Sequence, residues 1–181
     1  MNGRKTNSGS RASATPLAVT ARPIAPADVP RVWELLRGLA EYEKLGDAVT
    51  GDAGMLEKAL FGSGDRLRGL VAERAGKLVG YALYYPVFGS FRARWRLWLE
   101  DIYVEPEARG SGAGVSLMAE LARLAHEGGY LGLDWEVLDW NRPALDFYEH
   151  IGARRVAADW LRYRLEGEAL EKVAGRRERR S

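Results

Sequence analysis

The chain has 181 residues, 46% of them apolar, no cysteine, and a formal net charge of +2. That length supports one domain with a substantial core, and no apolar run approaches a membrane span, so no membrane contact is expected. The lack of cysteine excludes disulfides, cysteine metal sites and a cysteine nucleophile, and fits a reducing, cytoplasmic setting.

Residues 1–16 carry Arg4, Lys5 and Arg11 and no acid, and are rich in Ser, Thr, Gly and Ala. They read as a disordered basic tail, since so little apolar surface cannot order a chain. Residues 175–181 hold four arginines and Glu178, a second basic tail. Each tail is +3, which leaves −4 on the body, 17–174. Short basic tails read as solubilising arms, and nucleic acid is not expected as a partner.

Leu17 to Arg22 alternates apolar residues and predicts a first strand ending at Pro23. Asp28 has the place of a helix N-cap with Pro30 in the first turn. Val29, Val32, Trp33, Leu36, Leu39 and Ala40 then form a helical stripe to about Lys44. Asp52 caps a second helix that stops at Gly62. Gly69–Glu73, Leu78–Phe88 and Trp95–Val104 predict three strands with short connections, hence an antiparallel meander. A helix is expected over Val115–His126, a strand over Leu131–Leu138, and a short helix over Ala144–His150 opened by Asn141-Arg142-Pro143. Arg154–Ala157 and Trp160–Leu165 suggest a closing hairpin, and the tail after Glu166 is at most weakly helical. The predicted fold class is α/β: a mixed, mostly antiparallel central sheet flanked by helices.

Between the third meander strand and its helix lies Arg109-Gly110-Ser111-Gly112-Ala113-Gly114-Val115. Glycines there let backbone approach a ligand, and the first N–H groups of a helix, with its dipole, favour an anion. The loop reads as a phosphate site with Arg109 at its mouth. A dinucleotide fingerprint would need glycine where Val115 stands, and no Gly-Lys-Ser/Thr ending is present.

The pattern Arg109-x-x-Gly112-x-Gly114 instead resembles the acetyl-CoA pyrophosphate loop of the GCN5-related N-acetyltransferases. Leu39-Ala40-Glu41-Tyr42-Glu43, Leu99 to Val104, Trp140 to Ala144 and Phe147 to Ala153 are similar to the diamine or polyamine (spermidine/spermine-like) branch of that superfamily. The likeness covers about residues 17–170. It implies a 17–174 acetyltransferase domain that carries the acetyl group of acetyl-CoA to a small polycationic amine, a diamine, a polyamine or a lysine-like amine. The same fold also serves a protein N-terminus, a lysine or an antibiotic amine, and a non-catalytic acetyl-CoA-binding regulator is the reading from another class. The branch implies a homodimer.

Acetyl transfer needs a neutral amine, and at a pKa near 10.4 only about one molecule in a thousand is neutral at pH 7. Glu100 sits in an otherwise apolar strand and is the candidate base, acting directly or through a water; a solvent-facing strand edge would also accommodate it. Strand parity turns Asp101 to the opposite face unless a bulge intervenes, as a structural or cleft-lining residue. Tyr148, by itself an ordinary half-buried tyrosine, becomes through the resemblance the acid that protonates the leaving thiolate. The resemblance also assigns backbone groups of Ile102, Tyr103 and Val104 to the pantetheine, those of Gly110, Ser111, Gly112, Ala113, Gly114 and Val115 to the pyrophosphate, and Asn141 to a helix cap that also meets the cofactor arm. Tyr42, Glu43, Asp134, Trp135 and Glu136 form the expected amine-recognition set, carboxylates with aromatic walls. Trp135 reads equally well as core. His126 and His150 lack metal spacing with any acid pair, and no metal is expected.

Overall fold

The computed structural model describes residues 18–64, 67–156 and 163–174. They fall into two compact units, one up to Glu136 and one from Val137. The first unit holds β1 (Val19–Pro23), α1 (Val29–Tyr42), α2 (Ala53–Phe61), β2 (Arg68–Arg74), β3 (Lys77–Gly89), β4 (Arg94–Val104), α3 (Ala113–Glu127) and β5 (Leu133–Trp135). The second holds α4 (Arg142–His150) and α5 (Gly167–Ala174).

The five strands form one sheet in the order β1-β2-β3-β4-β5, antiparallel except for the β4–β5 pair. The expected meander is present. Its first turn is Ala75-Gly76, both residues at positive φ (52° and 75°), the backbone twist that a two-residue hairpin turn requires. α3 makes the crossover that brings β5 parallel to β4.

Two cores flank the sheet. On one face Val71, Tyr81, Leu83 and Tyr103 bury against Val29, Val32 and Leu35 of α1 and Leu56 of α2. The alternate residues Leu70, Ala72, Leu97 and Leu99 are buried on the other face, where α3 packs with Leu117, Met118 and Leu121. β2 is therefore buried on both sides from Leu70 to Ala72, as is β3 from Val79 to Tyr84. From Tyr85 onward β3 is only half-covered.

Several elements differ from the sequence reading. α3 begins at Ala113, two residues early, and Val115 is exposed. The strand expected over Leu131–Leu138 shortens to Leu133–Trp135, pairing with Leu97–Leu99 alone. Asp28 holds the N-cap position of α1 but does not cap it. Its carboxylate accepts from both Nη atoms of Arg22, at 2.6 and 3.1 Å, and from the backbone N–H of Ala25, because a guanidinium fork outcompetes one amide. Asp52 does cap α2, accepting from the N–H of Met55 at 2.8 Å. The tail after Glu166 forms α5. Residues 153–156 and 163–166 are not strands; the rest of the expected hairpin lies outside the described residues, as do the two basic tails.

Candidate active site

The decisive local feature is a β-bulge in β4. Leu99 pairs with Tyr84 and Asp101 with Leu83, so Glu100 is an extra residue with no partner across the ladder. The bulge changes which residues share a face. Tyr81, Leu83, Tyr85 and Val87 of β3 stand opposite Tyr103, Asp101, Trp98 and Arg96 of β4. Directly paired residues project to one side, so these eight lie on the α1 face. Glu100 joins them: its Oε2 accepts from the Tyr85 hydroxyl and from the Trp98 indole N–H, both at 2.9 Å. Its Oε1 has no partner among the described residues.

This revises the parity expectation for Asp101, which the bulge turns to the same face as Glu100. The burial expected of Glu100 falls on Asp101 instead, while Glu100 is exposed. Burial, with Glu100 and Glu43 nearby, pushes the Asp101 carboxyl up to about 6, and Tyr81 opposes that rise. The Tyr81 hydroxyl is itself buried, and its titration is driven well upward by burial and by the charge of Asp101. It faces Asp101 without reaching hydrogen-bond geometry. Glu43, just past the end of α1, is also raised by burial. Three carboxyls from two elements thus meet on one face, beside Tyr81, Tyr85 and Trp98.

The other expected recognition residues are placed as follows. Tyr42 ends α1, and the Arg109 guanidinium lies over its ring, 4.8 Å from the centroid. Arg109 Nε also donates to the carbonyl of Val104 at 3.2 Å. Asp134, directly opposite Trp98 on β5, is committed to Arg96: both its oxygens accept, from Nε and, at 2.6 Å, from Nη2. Trp135 is half-buried and Glu136 exposed. Sequence reasoning missed Arg96, Tyr85 and Trp98 as site residues; the alternation of β3 and β4 could have found Tyr85 and Trp98, but only the bulge aligns them with Glu100.

The phosphate loop has the conformation its glycines allow. Gly110 and Gly112 sit at φ 74° and 91°, and a Cβ on either would meet no protein atom within 4 Å. The space beside them is open, and the N–H groups of Ala113, Gly114 and Val115, in the first turn of α3, have no intrahelical acceptor. Ser111 Oγ is buried without a partner. Beyond Leu99 the β4 edge that faces β5 carries no ladder, so no described strand pairs there with the backbone of Ile102–Val104, although the Val104 carbonyl accepts from Arg109 Nε. These groups suit an extended ligand with an anionic, phosphate-bearing arm. Among the described residues no three His, Asp or Glu side chains are placed to hold a metal ion.

In the second unit, Asn141 is buried and caps α4, its Oδ1 accepting from the N–H of Ala144 at 3.3 Å. Tyr148 is half-buried on α4, its ring tilted against that of Phe147 at 5.5 Å.

Comparison with known proteins finds likenesses over most of the chain. The model of the acetyltransferase (GNAT) family matches residues 33–153. The chain is 37% identical to thialysine N-epsilon-acetyltransferase of Sus scrofa over 88% of its length and 99% of that protein's. It is 38% identical to the Bos taurus protein of the same name, over 82% and 93%. Among solved structures, an integron cassette protein from the mobile metagenome of V. cholerae superposes with a TM-score of 0.68 at 27% identity, covering 86% of this chain and 97% of that one.

Proposed function

The chain belongs to the acetyltransferase (GNAT) family, and from that premise we propose that it carries the acetyl group of acetyl-CoA to the primary amine of a small cationic acceptor, of the diamine, polyamine or lysine-like kind. The observation that carries this reading is the gathering of Glu43, Glu100 and Asp101 on one sheet face beside Tyr85 and Trp98. Carboxylates lined by aromatic rings hold an alkylammonium by charge and by cation–π contact. Thialysine, for which the mammalian relatives are named, is a lysine-like amine of this kind.

Each chemical demand has a residue to meet it. The Glu100 carboxylate is oriented by two donors to one oxygen, which leaves the other to receive the amine's proton, directly or through a water. Tyr148 donates a proton to the departing thiolate sulfur, and Asn141 meets the cofactor arm; both assignments rest on the Asn141-x-Pro143 and Phe147-Tyr148 motif. Acetyl-CoA supplies the activated thioester, with its pyrophosphate on the 110–115 loop and its pantetheine along Ile102–Val104. The catalytic domain is 17–174, and the active form is a cytoplasmic homodimer.

The test is acetyl-CoA consumption measured against diamines, polyamines, lysine, thialysine, peptides and aminoglycosides. Turnover of the small aliphatic amines is expected. Exclusive turnover of peptides or aminoglycosides, or none of any acceptor, overturns the proposal.

A further inference from the structure

The end of α1 touches both halves of the site. Tyr42 is its last residue and Glu43 its C-cap. Lys44 follows at φ 61°, a left-handed conformation uncommon for any residue but glycine. The N–H groups of Lys44 and Leu45 donate back to the carbonyls of Glu41 and Ala40, at 3.1 and 2.8 Å. These are the two bonds of a Schellman cap, closed without glycine. They hold the last turn of α1 in one conformation.

Glu43 serves the amine face, where its charge acts on both Asp101 and Tyr81. Tyr42 serves the other half. Its ring carries the Arg109 guanidinium, 4.8 Å from the centroid, within the range where a cation is drawn to the face of an aromatic ring. Arg109 Nε donates to the Val104 carbonyl at 3.2 Å, across the turn Pro106–Ala108. One guanidinium thereby ties the residue before Gly110 to the end of β4 and to α1. Gly38, a turn before Tyr42, lets the helix lie this close to β4. A Cβ there would stand 3.1 Å from the Tyr103 hydroxyl oxygen.

We propose that Tyr42 is a positioning residue for the acyl donor: its ring holds Arg109, and Arg109 sets the entry of the 110–115 loop, so that acetyl-CoA meets a loop already in place. Tyr42 is thereby assigned to the donor side and not to the amine wall that its residue type suggested. Its neighbour Glu43 stays with the amine, so one helical turn serves both substrates. The inference rests on the acetyl-transfer reading above and deepens it.

The test is calorimetric titration with CoA, together with KM for acetyl-CoA and for the amine. Tyr42→Leu removes the aromatic face. It should weaken CoA binding about 2–10-fold, the range of one cation–π contact, and raise KM for acetyl-CoA alike, with KM for the amine unchanged. Tyr42→Phe keeps the ring and should bind CoA as the wild type does. Arg109→Gln should weaken CoA at least as much, and adding Tyr42→Leu to it should cost nothing further, because the contact is already gone. Glu43→Gln should do the reverse, raising KM for the amine and sparing CoA. A Tyr42→Leu enzyme with wild-type CoA affinity would overturn the inference. So would a Tyr42→Leu loss that persists undiminished beside Arg109→Gln, or an Arg109→Gln enzyme that binds CoA normally. A wild-type enzyme that binds no CoA would instead strike the acetyl-transfer reading itself.

Discussion

Replacing Asp101 by asparagine removes the charge that the bulge in β4 turns toward the α1 core. Burial lifts this carboxyl from an ordinary 3.8 to about 6, so between those values the folded chain binds a proton that the unfolded chain has released. Stability therefore falls as pH rises from about 4 to about 6 and stays reduced above that window. The interval corresponds to about 3 kcal/mol, a large part of the stability of a domain of this size. Asparagine does not titrate. The Asp101→Asn chain should consequently gain on the wild type by about 3 kcal/mol as pH rises from 4 to 7, whatever fixed offset the amide introduces. Urea unfolding of both proteins at half-unit pH steps measures this difference directly, since every other titrating group is common to both chains. A difference that stays constant over pH 4–7 would refute the reasoning. The same substitution should lower kcat/KM for the amine acceptor, because the chain retains a destabilising anion on the face where a cation is held.

Gly112→Val should abolish most of the thermal stabilisation given by acetyl-CoA: the wild-type φ of 91° is closed to a branched residue, and the open space beside it is where a phosphate would approach. Equal shifts in both proteins would place the cofactor elsewhere. Tyr148→Phe keeps the ring and removes its donor, and should cut kcat by about 10²–10⁴ with acetyl-CoA affinity nearly intact; near wild-type turnover would assign the acid to another group. Glu100→Gln should slow the reaction most near neutral pH and less above pH 9, where more of the amine is already neutral. A deficit independent of pH would make Glu100 a binding residue only.

The sequence by itself determined what depends on neighbours along the chain. Glycines at positive φ, the Asp52 and Asn141 caps, the short connection between β2 and β3 and the helical stripes of α1 and α3 are local properties, and all are present. The family was legible for the same reason: a phosphate loop is built from backbone groups of consecutive residues. What the tertiary structure decided involves register. A single extra residue at Glu100 interrupts a period of two, and nothing in Leu99-Glu100-Asp101-Ile102 announces where the ladder slips, because the slip is set by how β4 must meet β3. That slip sets Asp101 beside Glu100 and lines both up with Tyr85 and Trp98. Asp134 read as a free acid for the substrate, yet it is held by Arg96, 38 residues away. Pairs so distant form only once the α3 crossover lays β5 against β4, and so the charge a substrate meets on this face is a property of the folded sheet.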